Sequence, residues 1–151
     1  MLKEINSFED SPFTIERFKD AYNSGLANGI GNLTSRVMTM ATNYEVRLSE
    51  EELSMKYYTE EIQDLEFFDI NKFINKIWSD LKGLDEYIQK TEPFKKIKIN
   101  EEEAKNDVHY LLVNLYKNAL AIEPLLPETS KKIQELVREN KKPEVPLFVR
   151  K

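Results

Sequence analysis

An all-α bundle of about five helices is the fold class this sequence predicts, and three observations predict it. The 151 residues hold only four glycines and six prolines, and long stretches rich in Leu, Ile, Glu and Lys favour helix over a turn-rich sheet fold. Apolar residues recur in steps of three and four over most of the chain. Capping signatures and prolines divide those periodic stretches from one another. An apolar content of 40% supplies one ordinary core, so residues 1–151 are expected to form a single domain. Residues 1–13 then form a lead-in and 141–151 a C-terminal tail.

The first periodic stretch carries Ile15, Phe18, Tyr22, Leu26, Ile30, Leu33, Val37, Met40 and Tyr44 on one stripe, which predicts one helical phase over 15–44. Ser11 or Thr14 is placed to cap its start. Gly25, Gly29 and Gly31 each weaken it by roughly 1 kcal/mol relative to alanine, and a kink or break is expected near Gly29–Gly31. Ser49 with Glu52 forms a capping-box pattern, and Thr59, Ile62, Leu65 and Phe68 indicate a short helix. A longer helix over about 70–90 places Ile70, Phe73, Ile74, Ile77, Trp78, Leu81, Leu84 and Ile88 on one side. Trp78 sits within that stripe and is expected in the core, and Pro93 ends the helix. Asn100 with Glu103 opens the next, through Val108, Leu111, Leu112, Leu115, Ala119 and Ile122, and Pro124 stops it. Pro127 and Thr129 introduce the last helix, which carries Ile133, Leu136 and Val137 and gives way at Pro143. The apolar tail Val145-Pro146-Leu147-Phe148-Val149 is expected to dock on the bundle in extended form.

The absences restrict the chemistry. Without cysteine and with one histidine, thiolate metal sites, cysteine nucleophiles and multi-histidine zinc sites are excluded. His109 has no catalytic partner at a recognisable spacing and is expected to be structural or at the surface. No apolar run approaches the roughly 18 residues of a membrane span, and Met1–Asn6 lacks the apolar core of a signal peptide. A cytoplasmic protein with no membrane partner is the expectation. A net charge of -5 opposes nonspecific coating of nucleic acid, DNA included. Positive charge is nevertheless concentrated over residues 89–98, where Lys90, Lys95, Lys96 and Lys98 stand against Glu92 alone.

Within the first stripe, Tyr22-Asn23-Ser24-Gly25-Leu26-Ala27-Asn28-Gly29-Ile30-Gly31-Asn32-Leu33-Thr34-Ser35-Arg36 resembles the opening segment of the methionyl-tRNA synthetase anticodon-binding domain. The resemblance continues in order through Leu65-Glu66-Phe67, Ile77-Trp78, Tyr87-Ile88, Pro93-Phe94 and Leu125-Leu126-Pro127-Glu128-Thr129-Ser130. It implies the class I synthetase type of helical bundle and recognition of the CAU anticodon of methionine tRNA.

It also assigns roles to residues. The Asn and Arg that face the anticodon in that family fall at Asn32 and Arg36. They stand at i and i+4 on one helix face, off the apolar stripe. An amide offers a base edge both donor and acceptor, and a guanidinium offers a charged fork with a flat face. Where the family has Pro-Trp, this chain has Pro93-Phe94, and Phe94 retains a π face for stacking. Lys90, Lys95, Lys96 and Lys98 are the expected backbone-phosphate contacts.

The synthetase motifs His-x-Gly-His and Lys-Met-Ser-Lys-Ser are missing, and Ser54-Met55-Lys56 is too short a likeness to replace them. This chain is therefore expected to bind without catalysing, with no catalytic residue, metal or cofactor of its own. ATP and methionine would bind a catalytic domain of the same parent chain. The alternatives are a valyl- or leucyl-type anticodon domain and a helical protein-interaction module without an RNA role.

Overall fold

The computed structural model describes residues 14–54 and 70–151, and among them every regular element is helical. The lead-in and the short helix expected around Thr59–Phe68 lie outside the described residues. The predicted first helix is an α–π–α composite: α1 (Ile15–Tyr22), a π-helical segment (Asn23–Gly31) and α2 (Asn32–Asn43). Thr14 caps it, its hydroxyl accepting from the Arg17 N–H at 3.1 Å. The expected kink is present at Gly29, whose φ of -79° and ψ of -108° leave the helical region.

That kink and the wider π turns divide the stripe. No residue of α1 is buried, and Ile15 and Phe18 are exposed, contrary to a single core-facing phase. Burial begins at Ile30 and continues through Leu33, Val37 and Met40. At its other end α2 closes in a Schellman arrangement, with Glu45 left-handed (φ 56°) and the Val46 N–H reaching the Ala41 carbonyl at 2.9 Å.

Short α3 (Glu50–Leu53) starts with the expected capping box of Ser49 and Glu52. Then come α4 (Ile70–Thr91), the single turn α5 (Pro93–Lys96), α6 (Glu101–Ala121) and α7 (Pro127–Glu139). Glu92 between α4 and α5 is left-handed (φ 43°), so the chain reverses sharply there. The Asn100 side chain caps α6 by accepting from the Glu103 N–H at 3.2 Å. The αL residue Asn140 ends α7 in a second Schellman turn, with the Lys141 N–H on the Leu136 carbonyl at 3.0 Å.

α6 is the central helix. Val108, Leu111, Leu112, Leu115, Tyr116 and Ala119 are all fully buried, because α2, α4, α5 and α7 all pack against it. Phe73, Ile77, Leu81, Leu84 and Ile88 of α4 and Ile133 and Val137 of α7 complete the core. Trp78 is half-buried at its margin, packed on the core without being enclosed by it. A Cβ on Gly25 would stand 3.2 Å from the indole Nε1, so glycine there permits the π segment to approach α4.

The tail docks as expected. Phe148 meets Tyr22 edge-on at 6.0 Å between ring centroids, and a Cβ on Gly31 would stand 3.3 Å from its ring. Asn23 pairs with the Lys151 backbone in both directions, at 3.0 and 3.1 Å.

His109 of α6 is structural, with Nε2 3.1 Å from the Glu52 carboxylate. The Ser49 backbone N–H, aided by its hydroxyl and by His109, outweighs desolvation and holds Glu52 below its usual pKa. A carboxyl depressed in the folded state adds stability that is complete above its unfolded pKa and is lost as pH falls through the folded value. Ser49→Ala is accordingly expected to cost about 1 kcal/mol at neutral pH. In urea titrations the gap to the parent protein should narrow on the acid side of the ordinary glutamate range. Because alanine keeps the backbone N–H, a gap independent of pH would show that the Ser49 hydroxyl does not help hold Glu52 ionised.

Candidate nucleic-acid interface

The first turns of α2 present two chemically different faces. Leu33, Thr34 and Val37 point into the core, while Asn32, Ser35, Arg36 and Thr39 occupy the opposite side at spacings of three and four. Three hydroxyls in these turns bond back into their own helix. Thr34 donates to the Ile30 carbonyl at 2.7 Å, Ser35 to Gly31 at 3.1 Å and Thr39 to Ser35 at 2.7 Å. These bonds leave Asn32 as an exposed amide and Arg36 as a half-buried cation.

Arg36 has a partner within the fold. Its Nη1 pairs with Asp85 Oδ1 of α4, and Gln89, one turn further on, donates to Asp85 Oδ2 at 2.7 Å. The two ion-pair side chains are 35% and 39% exposed, so water screens the pair and its net contribution to stability is small.

Phe94 comes from a different part of the chain. The left-handed Glu92 turns the chain out of α4, and Pro93 opens α5 with its ring buried. Pro93 therefore contributes by setting the backbone beside Phe94, with its own ring turned away from solvent. Phe94 is 45% exposed. Its ring and Arg36 line the same hollow of about 320 Å³, together with Ser35, Thr39, Met40 and Ile88. Ser35 also borders a second hollow of about 390 Å³, where Asn32 faces Phe148 and Arg150 of the tail. The three residues expected to meet RNA bases thus lie along one surface.

The lysines divide into two groups. Lys90, Lys95 and Lys98 are exposed. Lys95 sits 2.6 Å from Glu92 and 5.9 Å from the Phe94 ring centroid. Lys96 instead lies 2.7 Å from both Asp107 and Glu103, and those carboxylates, Asp107 foremost, raise its pKa above the ordinary lysine value. Tyr87 donates to Asp107 at 2.7 Å, and burial followed by that carboxylate pushes its pKa up to about 12. Lys96 thereby fastens α5 to α6, and its charge is balanced locally. This role differs from the phosphate contact expected of it.

Sequence reasoning missed Asp85, Gln89, Asn28 and Arg150. Arg150 donates to Asn28 Oδ1 from Nη2 at 2.6 Å and from Nε at 3.1 Å. The spacing of Asp85 and Gln89 was a local signal, since residues at i and i+4 meet on a helix. Nothing local connects Arg150 to Asn28, or Asp85 to Arg36. Among the described residues no group of carboxylates and histidines is arranged to hold a metal ion, and no helix is long and apolar enough to cross a membrane.

Residues 37–146 match a family model described as the anticodon binding domain of methionyl tRNA ligase. The chain is 28% identical over 145 residues to the methionine–tRNA ligase of Campylobacter jejuni, covering 88% of this chain and 23% of that protein. It is 30% identical over 155 residues to the enzyme of Enterococcus faecalis, covering 89% and 22%. Against that of Bacillus subtilis it is 26% identical over 153 residues, covering 89% and 23%. The chain spans under a quarter of the length of these relatives.

Proposed function

This chain belongs to the anticodon-binding domain family of methionyl-tRNA ligase, and from that membership we propose that its α2 surface reads the CAU anticodon of methionine tRNA. The observation that carries the reading is the hollow shared by Arg36 and Phe94, with Asn32 one turn away on the same surface. An unstacked base in that hollow meets a π face and a guanidinium together. Aromatic stacking contributes roughly 1–3 kcal/mol per base, and Arg36 and Asn32 add the hydrogen bonds that distinguish base edges. Lys90, Lys95 and Lys98 supply positive charge to the adjoining phosphates.

In this reading the chain supplies recognition to a methionine–tRNA ligase, and the catalytic domain of the same parent protein supplies adenylation and binds ATP and methionine. The family match favours neither a valyl or leucyl assignment nor an interaction module without RNA.

Titration with anticodon stem-loops tests the proposal. The CAU loop is expected to bind at least about tenfold more tightly than a loop altered at the first anticodon base, a difference of about 1.4 kcal/mol. Three phosphate contacts predict a slope of about -2 for log K against log salt, from the single-strand coefficient of 0.7 per contact. Equal affinity for all loops would overturn the methionine assignment, and absence of binding at low salt would overturn the RNA role itself.

A further inference from the structure

We infer that Asp85, backed by Gln89, is a positioning residue that makes Arg36 a cytosine-selective fork. The inference rests on the anticodon-binding role proposed above and concerns how one base is distinguished from another.

The ion pair occupies a telling place. Arg36 lines the hollow beneath Phe94, and Asp85 lines a separate cleft of about 460 Å³ beside Trp78. The ion pair thus joins a residue of one hollow to a residue of the other. Asp85 holds the guanidinium by Nη1, and among the described residues Nε and Nη2 have no hydrogen-bond partner. Asp85 is in turn held at its other oxygen by Gln89 at 2.7 Å. Both partners stand on α4, the helix that leads through Glu92 and Pro93 into Phe94. The support of the guanidinium and the stacking ring therefore come from consecutive helices, α4 and α5, joined at Glu92.

A guanidinium is planar, and its donors keep fixed relative directions. Anchoring one nitrogen to a carboxylate that is itself anchored fixes the plane and aims the remaining donors. Two parallel N–H groups match two adjacent acceptors, and cytosine offers such a pair on its Watson–Crick edge at N3 and O2. Uracil keeps O2 but carries a hydrogen on N3, which faces the second donor as donor against donor. A fixed fork discriminates between the two bases. A guanidinium free to swing can satisfy uracil through O2 alone, or turn to a phosphate.

The test measures preference as well as affinity. In the parent chain, stem-loops with CAU and UAU anticodons are titrated at two salt concentrations, and a preference of at least about tenfold for CAU is expected. Asp85→Ala should reduce that preference to below about threefold, mainly by weakening CAU binding, with UAU affinity and the unfolding midpoint nearly unchanged. Asp85→Asn, whose amide oxygen still accepts from Arg36, should restore an intermediate preference. Arg36→Lys keeps the charge opposite Asp85 but has no fork, and should lose the preference while keeping the salt dependence.

Unchanged preference in Asp85→Ala would overturn the positioning role. So would an equal loss for both loops accompanied by a lowered midpoint, the mark of a residue that only supports the fold. Should the parent chain itself show no preference, the anticodon reading fails first and this inference falls with it. A preference that is present in the parent and retained in the variant removes the inference alone.

Discussion

Tyr116→Ala is expected to lower the free energy of unfolding by about 3–5 kcal/mol, the range for emptying a large aromatic site in a core that cannot collapse around it. Tyr116 is fully buried on the central helix α6. Its hydroxyl donates to the Leu53 carbonyl at 2.9 Å and accepts from Arg138 Nη2 at 2.8 Å. The same nitrogen of Arg138 also reaches the Leu53 carbonyl at 3.3 Å. One hydroxyl thus joins the end of α3 to α6 and α7. Tyr116→Phe separates its contribution from that of the ring and should cost about 1–3 kcal/mol, because a buried carbonyl loses its principal donor. Urea-induced unfolding followed by circular dichroism measures both. A Phe variant as stable as the parent would mean that Arg138 alone satisfies the carbonyl.

Arg36→Ala should have the opposite profile. Binding of the CAU stem-loop is expected to weaken on the order of tenfold to a hundredfold, from the loss of about 1.5–3 kcal/mol of charge-assisted hydrogen bonding. Unfolding should shift by less than about 1 kcal/mol, since the partner Asp85 remains partly hydrated. Stability is preserved here by water screening of the ion pair, whose two side chains are both partly exposed. Parallel titration and thermal unfolding of the variant decide the matter. A strong destabilisation with RNA affinity intact would make Arg36 a structural residue.

Much of the fold was legible because local chemistry specified it. Thr14, Ser49 and Asn100 each cap the helix they precede, and the stripe of α4 became a buried face from Phe73 to Ile88. The π segment was less obvious, although its signal was present. Phe18, Tyr22, Leu26 and Ile30 are separated by three consecutive steps of four. Such steps drift by about 120° on a helix of 3.6 residues per turn, and wider turns absorb the drift. Reading them as one α-phase hid the exposure of Ile15 and Phe18.

For the candidate site, Asn32 and Arg36 were visible as an i, i+4 pair, and Phe94 as an aromatic beside basic residues. Their neighbours were hidden by distance along the chain, since Asp85 lies 49 residues from Arg36. Lys96 was read from charge density alone, whereas its two carboxylates come from α6, outside the basic run.

The clasp between Asn23 and Lys151 spans 128 residues, and it carries a consequence for synthesis. At ribosomal rates of about 5–20 residues per second, on the order of ten seconds separates emergence of the π segment from that of its tail. Until then Tyr22 lacks the Phe148 ring, and Asn28 and Asn23 lack their C-terminal partners. The residues that make these contacts lie outside the buried cluster of α2, α4, α6 and α7. On a nascent chain the π segment would be the last part of the surface proposed to meet RNA to acquire its final shape, after the core has formed.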